Sequence, residues 1–218
     1  MLDSQMVDLF LKTDPSSLLH QRFRALIWQC IDPIEGWLFE DEAELLMRTA
    51  ALGLRAGSGS AALIEVGSYC GRSTCAIAGV VRALKPAAKL YAIDPHQGHV
   101  GAQDREVEVK KPTIERLEKN LQRAGLEDQV IVIQAHSWEV AWNKPVSFLF
   151  IDGLHDYDNV ARDFRQFEPW LMRGGFAAFH DYGGYFPGVT TFVDELMRTG
   201  HYEKTALTGS MFVMERLL

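Results

Sequence analysis

The sequence contains few cysteines, and it lacks long apolar runs and long basic runs. Its three cysteines, Cys30, Cys70 and Cys75, show no C-x-x-C spacing in a chain of 218 residues. This odd, unclustered set disfavours a disulfide framework or a zinc site, so we expect reduced thiols and a cytoplasmic location. No apolar run reaches about 18 residues and the N-terminus has no basic segment, so neither a membrane span nor a secretion signal is expected.

Charge and composition narrow the range of partners. The formal net charge is −7 without a long basic run, which disfavours nucleic-acid binding through the release of counterions. The composition is more compatible with a small or neutral acceptor. It leaves open whether the protein forms a homo-oligomer. Because 47% of the residues are hydrophobic, residues 1–218 suit one large domain with a sizeable core.

Hydrophobic spacing predicts helices that alternate with strands. Residues 1–35 form an N-terminal helical extension in this interpretation, and a further helix spans 41–54. Five strands are predicted, at Leu63 to Val66, Lys89 to Ile93, Val130 to Gln134, Val146 to Ile151 and Phe176 to Phe179. Later helices are predicted at Thr113 to Ala124 and Asp158 to Met172, and a terminal hairpin at Tyr202 to Leu207 and Met211 to Leu217. This alternation predicts a mainly parallel α/β sheet with helices on both faces.

The stretch from Glu65 to Ser73, E-V-G-S-Y-C-G-R-S, has the layout of a nucleotide site. An apolar strand ends in an acid, and Gly67 and Gly71 allow the chain to turn tightly beside a ligand. A helix then begins near Ser73, and its free N–H groups favour a carboxylate. The loop has neither G-x-G-x-x-G nor G-K-[ST], so the pattern favours a nucleoside that carries an amino acid. Its ammonium group would meet Glu65.

This stretch resembles motif I of the class I S-adenosylmethionine (SAM)-dependent methyltransferases, especially the catechol O-methyltransferase branch. The resemblance covers residues 36–218 and implies a Rossmann-like α/β fold with seven strands in the order 3-2-1-4-5-7-6. It also implies that residues 58–218 bind SAM and that residues 1–57 cap the substrate. The SAM contacts that it implies in the first loop are Glu65, Gly67, Ser68, Tyr69, Gly71 and Ser73.

Two further strand ends complete the expected cofactor site. Asp94 follows the second strand, where an acid can accept both ribose hydroxyls, and the resemblance implies that role. The alternative is that the Asp-Pro pair only starts a turn. His136 and Ser137 follow the third strand, where related enzymes hold the adenine, although His136 is equally compatible with a packed loop residue.

The ends of the fourth and fifth strands carry the expected chemical centre. Asp152 and Asp181 should emerge at one sheet edge, close enough to share a hard cation. Macrolide-sugar O-methyltransferases and cephalosporin-hydroxylase-like proteins, which the chain also resembles, imply a Mg²⁺ site made by Asp152, His180 and Asp181. The alternative is that Asp152 orients SAM or caps a helix without metal.

His155 is the expected general base. It lies three residues beyond Asp152, where a neutral imidazole can take a proton from an acceptor hydroxyl. A loop histidine bonded to a neighbouring acid is the alternative. We therefore expect SAM-dependent methyl transfer to a small hydroxylated acceptor, a sugar or phenol, with Asp152 and His155 as catalytic residues. Different metal-dependent chemistry on the same fold, or SAM binding without turnover, are the competing hypotheses.

Two other segments have open roles. Trp37 and Phe39 are interpreted as pocket wall or as helix packing. The polar stretch Gly98 to Lys111 is predicted to be a loop, either a lid over the site or a solvated excursion.

Overall fold

A computed structural model describes residues 2–57 and 61–218. The predicted joint at Ser58 to Ser60 lies outside these ranges. Within these ranges, three helices come before the first strand: α1 (Ser4–Lys12), α2 (Leu18–Ile31) and α3 (Glu40–Ala56). Asp3 and Ser17 begin the first two, because their side chains accept hydrogen bonds from free N–H groups of the first turn. The predicted helical extension is confirmed.

Seven strands form one sheet. They are β1 (Ala62–Val66), β2 (Leu90–Ile93), β5 (Val130–Ile133), β6 (Val146–Ile151), β7 (Leu171–Phe179), β8 (Tyr202–Thr208) and β9 (Met211–Arg216). The order β5-β2-β1-β6-β7-β9-β8 is the predicted 3-2-1-4-5-7-6 order. The first five pair in parallel, while β9 runs antiparallel to both β7 and β8. Parallel pairing places the carboxyl ends of β1, β2, β5, β6 and β7 along one edge.

Helices cover both faces of this sheet. The four that follow β1 are α4 (Arg72–Leu84), α5 (Ile114–Ala124), α6 (Tyr157–Phe167) and α7 (Pro187–Arg198). Two buried apolar clusters result, one on each face. Leu2 and Phe10 belong to the same cluster as α4, so the N-terminal helices share the core of the sheet. No helix within the described ranges is long and apolar enough to cross a membrane.

Two predicted elements differ from the structure. The helix predicted to reach Met172 ends at Phe167, and Leu171 belongs to β7 rather than to a helical face. Pro169 explains the difference, since proline cannot donate the hydrogen bond that would continue the helix. The stretch predicted to be a loop forms a hairpin of β3 (His99–Ala102) and β4 (Glu106–Val109).

Candidate active site

A cavity of about 1090 Å³ lies at the carboxyl ends of the parallel strands. Most residues predicted for the site line it: Gly67, Ser68, Tyr69, Ser73, Asp94, His136, Ser137, Asp152, His155, His180 and Asp181. Glu65 and Gly71 are not among the lining residues. The hairpin β3–β4 and the segment between α2 and α3 also border the cavity.

The loop after β1 approaches its neighbours more closely than a side chain would allow. Gly67 has φ +93°, and a Cβ there would lie 2.0 Å from the carbonyl oxygen of Asp152. The buried hydroxyl of Ser68 has no hydrogen-bond partner within the described part of the chain. A buried polar atom without a partner is costly, so its position on the cavity wall suits a ligand that supplies the missing bond.

Glu65 is not among the residues that line the cavity, and its contact with an ammonium group stays a prediction. Its two oxygens accept hydrogen bonds from Ser73 Oγ (2.5 Å) and Thr74 Oγ1 (2.6 Å) in the first turn of α4. Burial raises the pKa of this carboxyl to about 8, because the charged form is poorly solvated. Glu65 therefore anchors the start of α4 beneath the loop.

Asp94 holds the same loop from the other side. Its Oδ2 accepts from the backbone N–H of Tyr69 (2.9 Å), and its Oδ1 accepts from the N–H of His96 (2.6 Å). Each carboxylate oxygen can accept more than one bond, so Asp94 keeps the capacity to bind a ribose while it fixes the loop.

The region after β5 combines a flat aromatic surface with a buried acid. The rings of His136 and Trp138 stack at 4.3 Å, and the Arg162 guanidinium lies 4.6 Å from the Trp138 ring centre. The hydroxyl of Ser137 donates to Asp163, whose pKa is raised to about 7 by burial. Sequence reasoning missed Asp163, although a polar residue next to the apolar stripe of α6 is a usable signal.

Within the described residues, a metal ion could be held by one group of side chains: Asp152, His155 and Asp181. Each offers one ligand atom, and these atoms lie within 4.8 Å of one another. His155 Nε2 lies 3.3 Å from Asp181 Oδ2, and the His155 ring packs on Phe186. Two carboxylates in one cavity suit a hard divalent cation.

His180 lies where the sequence places it, directly after β7, and it contacts three carboxylates. Its Nε2 lies 3.1 Å from Glu42 Oε2, and its Nδ1 lies 3.1 Å from Asp181 Oδ2 and 3.3 Å from Asp152 Oδ1. Burial lowers the pKa of this imidazole, but the three carboxylates outweigh burial and hold its pKa above the usual range. In this position a protonated His180 can balance carboxylate charge, and its role as a metal ligand stays a prediction.

Glu42 is the partner that sequence reasoning missed. Burial raises its pKa, but the hydrogen bonds from His180, Ser210 and Phe39 and the charge of His180 together outweigh burial and lower the pKa to about 2. Its other oxygen accepts from the backbone N–H and hydroxyl of Ser210. Glu42 lies on α3, far from His180 in sequence, so no local pattern could indicate this pair.

The two segments with open roles both border the cavity. Trp37 and Phe39 are 54% and 67% exposed and line the cavity, which favours pocket wall over helix packing. The hairpin docks beside His155, whose N–H donates to Gly101 O at 2.9 Å. The N–H of Gln103 donates to Asp156 at 3.0 Å. These contacts favour the lid over the solvated excursion.

The strand order, the loop after β1 and the cavity together define a class I methyltransferase fold. A family profile described as "Methyltransferase domain" matches residues 64–182, more than half of the sequence, so the chain belongs to this family. The protein is therefore a SAM-dependent methyltransferase.

Solved structures share this fold over nearly the whole chain. The O-methyltransferase NovP aligns with a TM-score of 0.71 and 17% identity, covering 99% of this chain and 100% of its own. CalS11, a TDP-rhamnose 3'-O-methyltransferase of calicheamicin biosynthesis, aligns at 0.61 and 15%, covering 97% and 92%. SAH-bound PaMTH1 from Podospora anserina aligns at 0.61 and 14%, covering 89% and 87%. At these identities the likeness concerns the fold.

Proposed function

We propose that this protein transfers the methyl group of SAM to a hydroxyl of a small molecule, with assistance from Mg²⁺. One observation carries the proposal: a single cavity joins the glycine loop and Asp94 to the Asp152, His155 and Asp181 cluster. A cofactor at the loop and an acceptor at the cluster would thus be neighbours. The exposed rings of Trp37 and Phe39 offer flat apolar surface, which suits a sugar or a phenol.

The residues at the loop end of the cavity fit SAM. Ser68 offers a hydroxyl without a protein partner, and Asp94 offers carboxylate oxygens to a ribose. The stacked pair His136 and Trp138 offers a flat surface beside Ser137. SAM supplies the electrophilic methyl group, and the protein contributes the orientation that an in-line transfer needs.

The residues at the other end fit a hard cation. Asp152 and Asp181 would hold Mg²⁺, which prefers oxygen ligands. When bound, the ion would make an acceptor hydroxyl more acidic. Because imidazole suits softer metals, His155 is left to accept the hydroxyl proton, oriented by its contact with Asp181.

A specific observation favours a second candidate, methyl transfer without metal. His180, whose pKa is held above the usual range, lies against both Asp152 and Asp181, and its protonated form would balance part of their charge. A carboxylate pair neutralised in this way has less need of a divalent ion. Asp152 and His155 would then orient and deprotonate the acceptor alone.

Two measurements test the proposal. Titration calorimetry with SAH should show binding, and labelled SAM should methylate members of a panel of phenols and sugars. Excess EDTA should abolish that transfer, and added Mg²⁺ should restore it. Full activity in EDTA would favour the metal-free candidate, while SAH binding without any transfer across the panel would favour a binding module.

A further inference from the structure

The chain between α2 and α3 crosses one side of the cavity, and we call residues 32–39 the roof segment. Arg72, in the first turn of α4, binds this segment through main-chain carbonyls. Its guanidinium donates from Nε to Ile34 O (2.6 Å), from Nη1 to Leu38 O (3.0 Å) and from Nη2 to Asp32 O (2.8 Å). The Arg72 side chain is only 16% exposed. A single side chain thus satisfies three carbonyls of one irregular segment.

The middle of the roof segment contacts the loop between β1 and α4, which we call the cofactor loop. The Tyr69 hydroxyl donates to Glu35 at 2.6 Å, and the ring of Trp37 lies 5.5 Å from that of Tyr69. Arg116 pairs with Glu35 from α5. Tyr69 and Arg72 belong to the same loop and helix start, so a shift of the loop would move the roof segment as well.

The C-terminal end of the roof segment reaches the carboxylate cluster. The N–H of Phe39 donates to Glu42 Oε2 at 3.1 Å. That same oxygen lies 3.1 Å from His180 Nε2, and His180 contacts Asp152 and Asp181. The roof segment therefore touches both the loop expected to hold the cofactor and the residues expected to hold the acceptor.

We propose that Arg72 is a positioning residue that couples the roof segment to the cofactor loop, so that cofactor binding orders the wall of the acceptor pocket. This inference rests on the proposed function. Arginine suits the task because its planar group carries five donors in a fixed arrangement, whereas lysine is a point charge on a flexible stem. Arg72→Lys keeps the positive charge and cannot reproduce the three-carbonyl pattern.

Hydrogen exchange with and without saturating SAH tests the coupling. In the wild-type protein, SAH should slow amide exchange both in residues 67–73 and in the roof segment, by on the order of tenfold in each. In Arg72→Lys, protection of 67–73 should remain and protection of the roof segment should disappear. Arg82→Lys is the matched control, since Arg82 lies on the same helix and also donates to carbonyls, at Ala124 and Gly125.

A second variant covers the case in which Arg72→Lys does not fold. Glu35→Gln changes a half-exposed side chain and weakens the link to Tyr69, so it should lower SAH-dependent protection of the roof segment alone. Roof protection that persists in the Arg72 variant, or that is lost equally in the Arg82 control, would overturn the inference. Wild-type protection at 67–73 without protection of the roof segment would overturn it while leaving the proposed function intact. No protection at either place would overturn both.

Discussion

The protonation of Glu65 differs between the folded and the unfolded chain, so the stability of the protein should depend on pH. Burial raises the pKa of this carboxyl to about 8, so above pH ~4.5 the unfolded chain releases a proton that the folded chain keeps. The free energy of unfolding should therefore fall as pH rises between those values, by up to about 1.4 kcal/mol per pH unit. Glu65→Gln should flatten this dependence in urea unfolding measured at several pH values. The same change at exposed Glu203 is the control, and an unaltered slope in Glu65→Gln would contradict the prediction.

Asp94 should contribute directly to cofactor affinity. Asp94→Ala removes charged acceptors for ribose hydroxyls and also frees the N–H of Tyr69, so SAH binding should weaken by about 1–3 kcal/mol. Titration calorimetry measures this difference. Asp128→Ala, at an exposed position away from the cavity, should bind as the wild type does. Unchanged affinity in Asp94→Ala would remove this residue from the site.

His155 should affect the chemical step and leave cofactor binding alone. His155→Ala removes the group proposed to accept the hydroxyl proton, so kcat should fall on the order of 10²–10⁴-fold while SAH affinity stays at the wild-type level. Steady-state kinetics on an acceptor from the panel provide the measurement. His99→Ala, on the rim of the same cavity, is the control. A His155 variant with full kcat would reassign this residue to a structural role.

Among the elements, the hairpin β3–β4 depends on a glycine that carries a testable prediction. Gly101 has φ +104°, and a Cβ there would lie 2.3 Å from Glu106 O on the opposite strand. Gly101→Ala should therefore open the hairpin and raise the KM for the acceptor, with little change in SAH affinity. Gly200→Ala is the matched control, because that glycine also has a positive φ but has no neighbouring atom within 4 Å of the added carbon.

Hydrogen exchange at residues 99–109 shows whether Gly101→Ala has opened the hairpin. Faster exchange with an unchanged KM would mean that the hairpin does not act as a lid.

The signal for β4 was present in the sequence, since Glu106 to Val109 alternate polar and apolar residues. The polar composition of the surrounding residues nevertheless favoured a loop. The hairpin docks on the loop after β6, and such tertiary contacts cannot be predicted from local composition.

At the scale of the whole molecule, the N-terminal helices and the sheet should unfold together. Phe10 on α1 is 1% exposed and lies in the same apolar cluster as α4. Phe10→Ala should cost about 3–5 kcal/mol and move a single transition, so that tryptophan fluorescence and far-UV circular dichroism coincide. Leu18→Ala, at a 67% exposed position, should change stability by less than about 0.5 kcal/mol. Separate transitions would show that residues 1–57 form an independent unit.

The order of elements followed from the sequence. Apolar periodicity located the strands of the sheet and most of the helices between them, although α7 was not predicted. The motif from Glu65 to Ser73, through its resemblance to known methyltransferases, supplied the strand order. These features are readable because hydrophobic spacing and turn chemistry act over a few neighbouring residues.

The roles of the site residues were decided by contacts between distant parts of the chain. Both oxygens of Glu65 accept hydrogen bonds from Ser73 and Thr74 in the first turn of α4. Burial lowers the pKa of His180, but Asp152, Asp181 and Glu42, the last of which lies more than a hundred residues earlier, together raise it. Only packing sets the burial and the neighbouring charges that fix a protonation state, so the sequence placed these side chains at the sheet edge while the tertiary structure decided what each can do there.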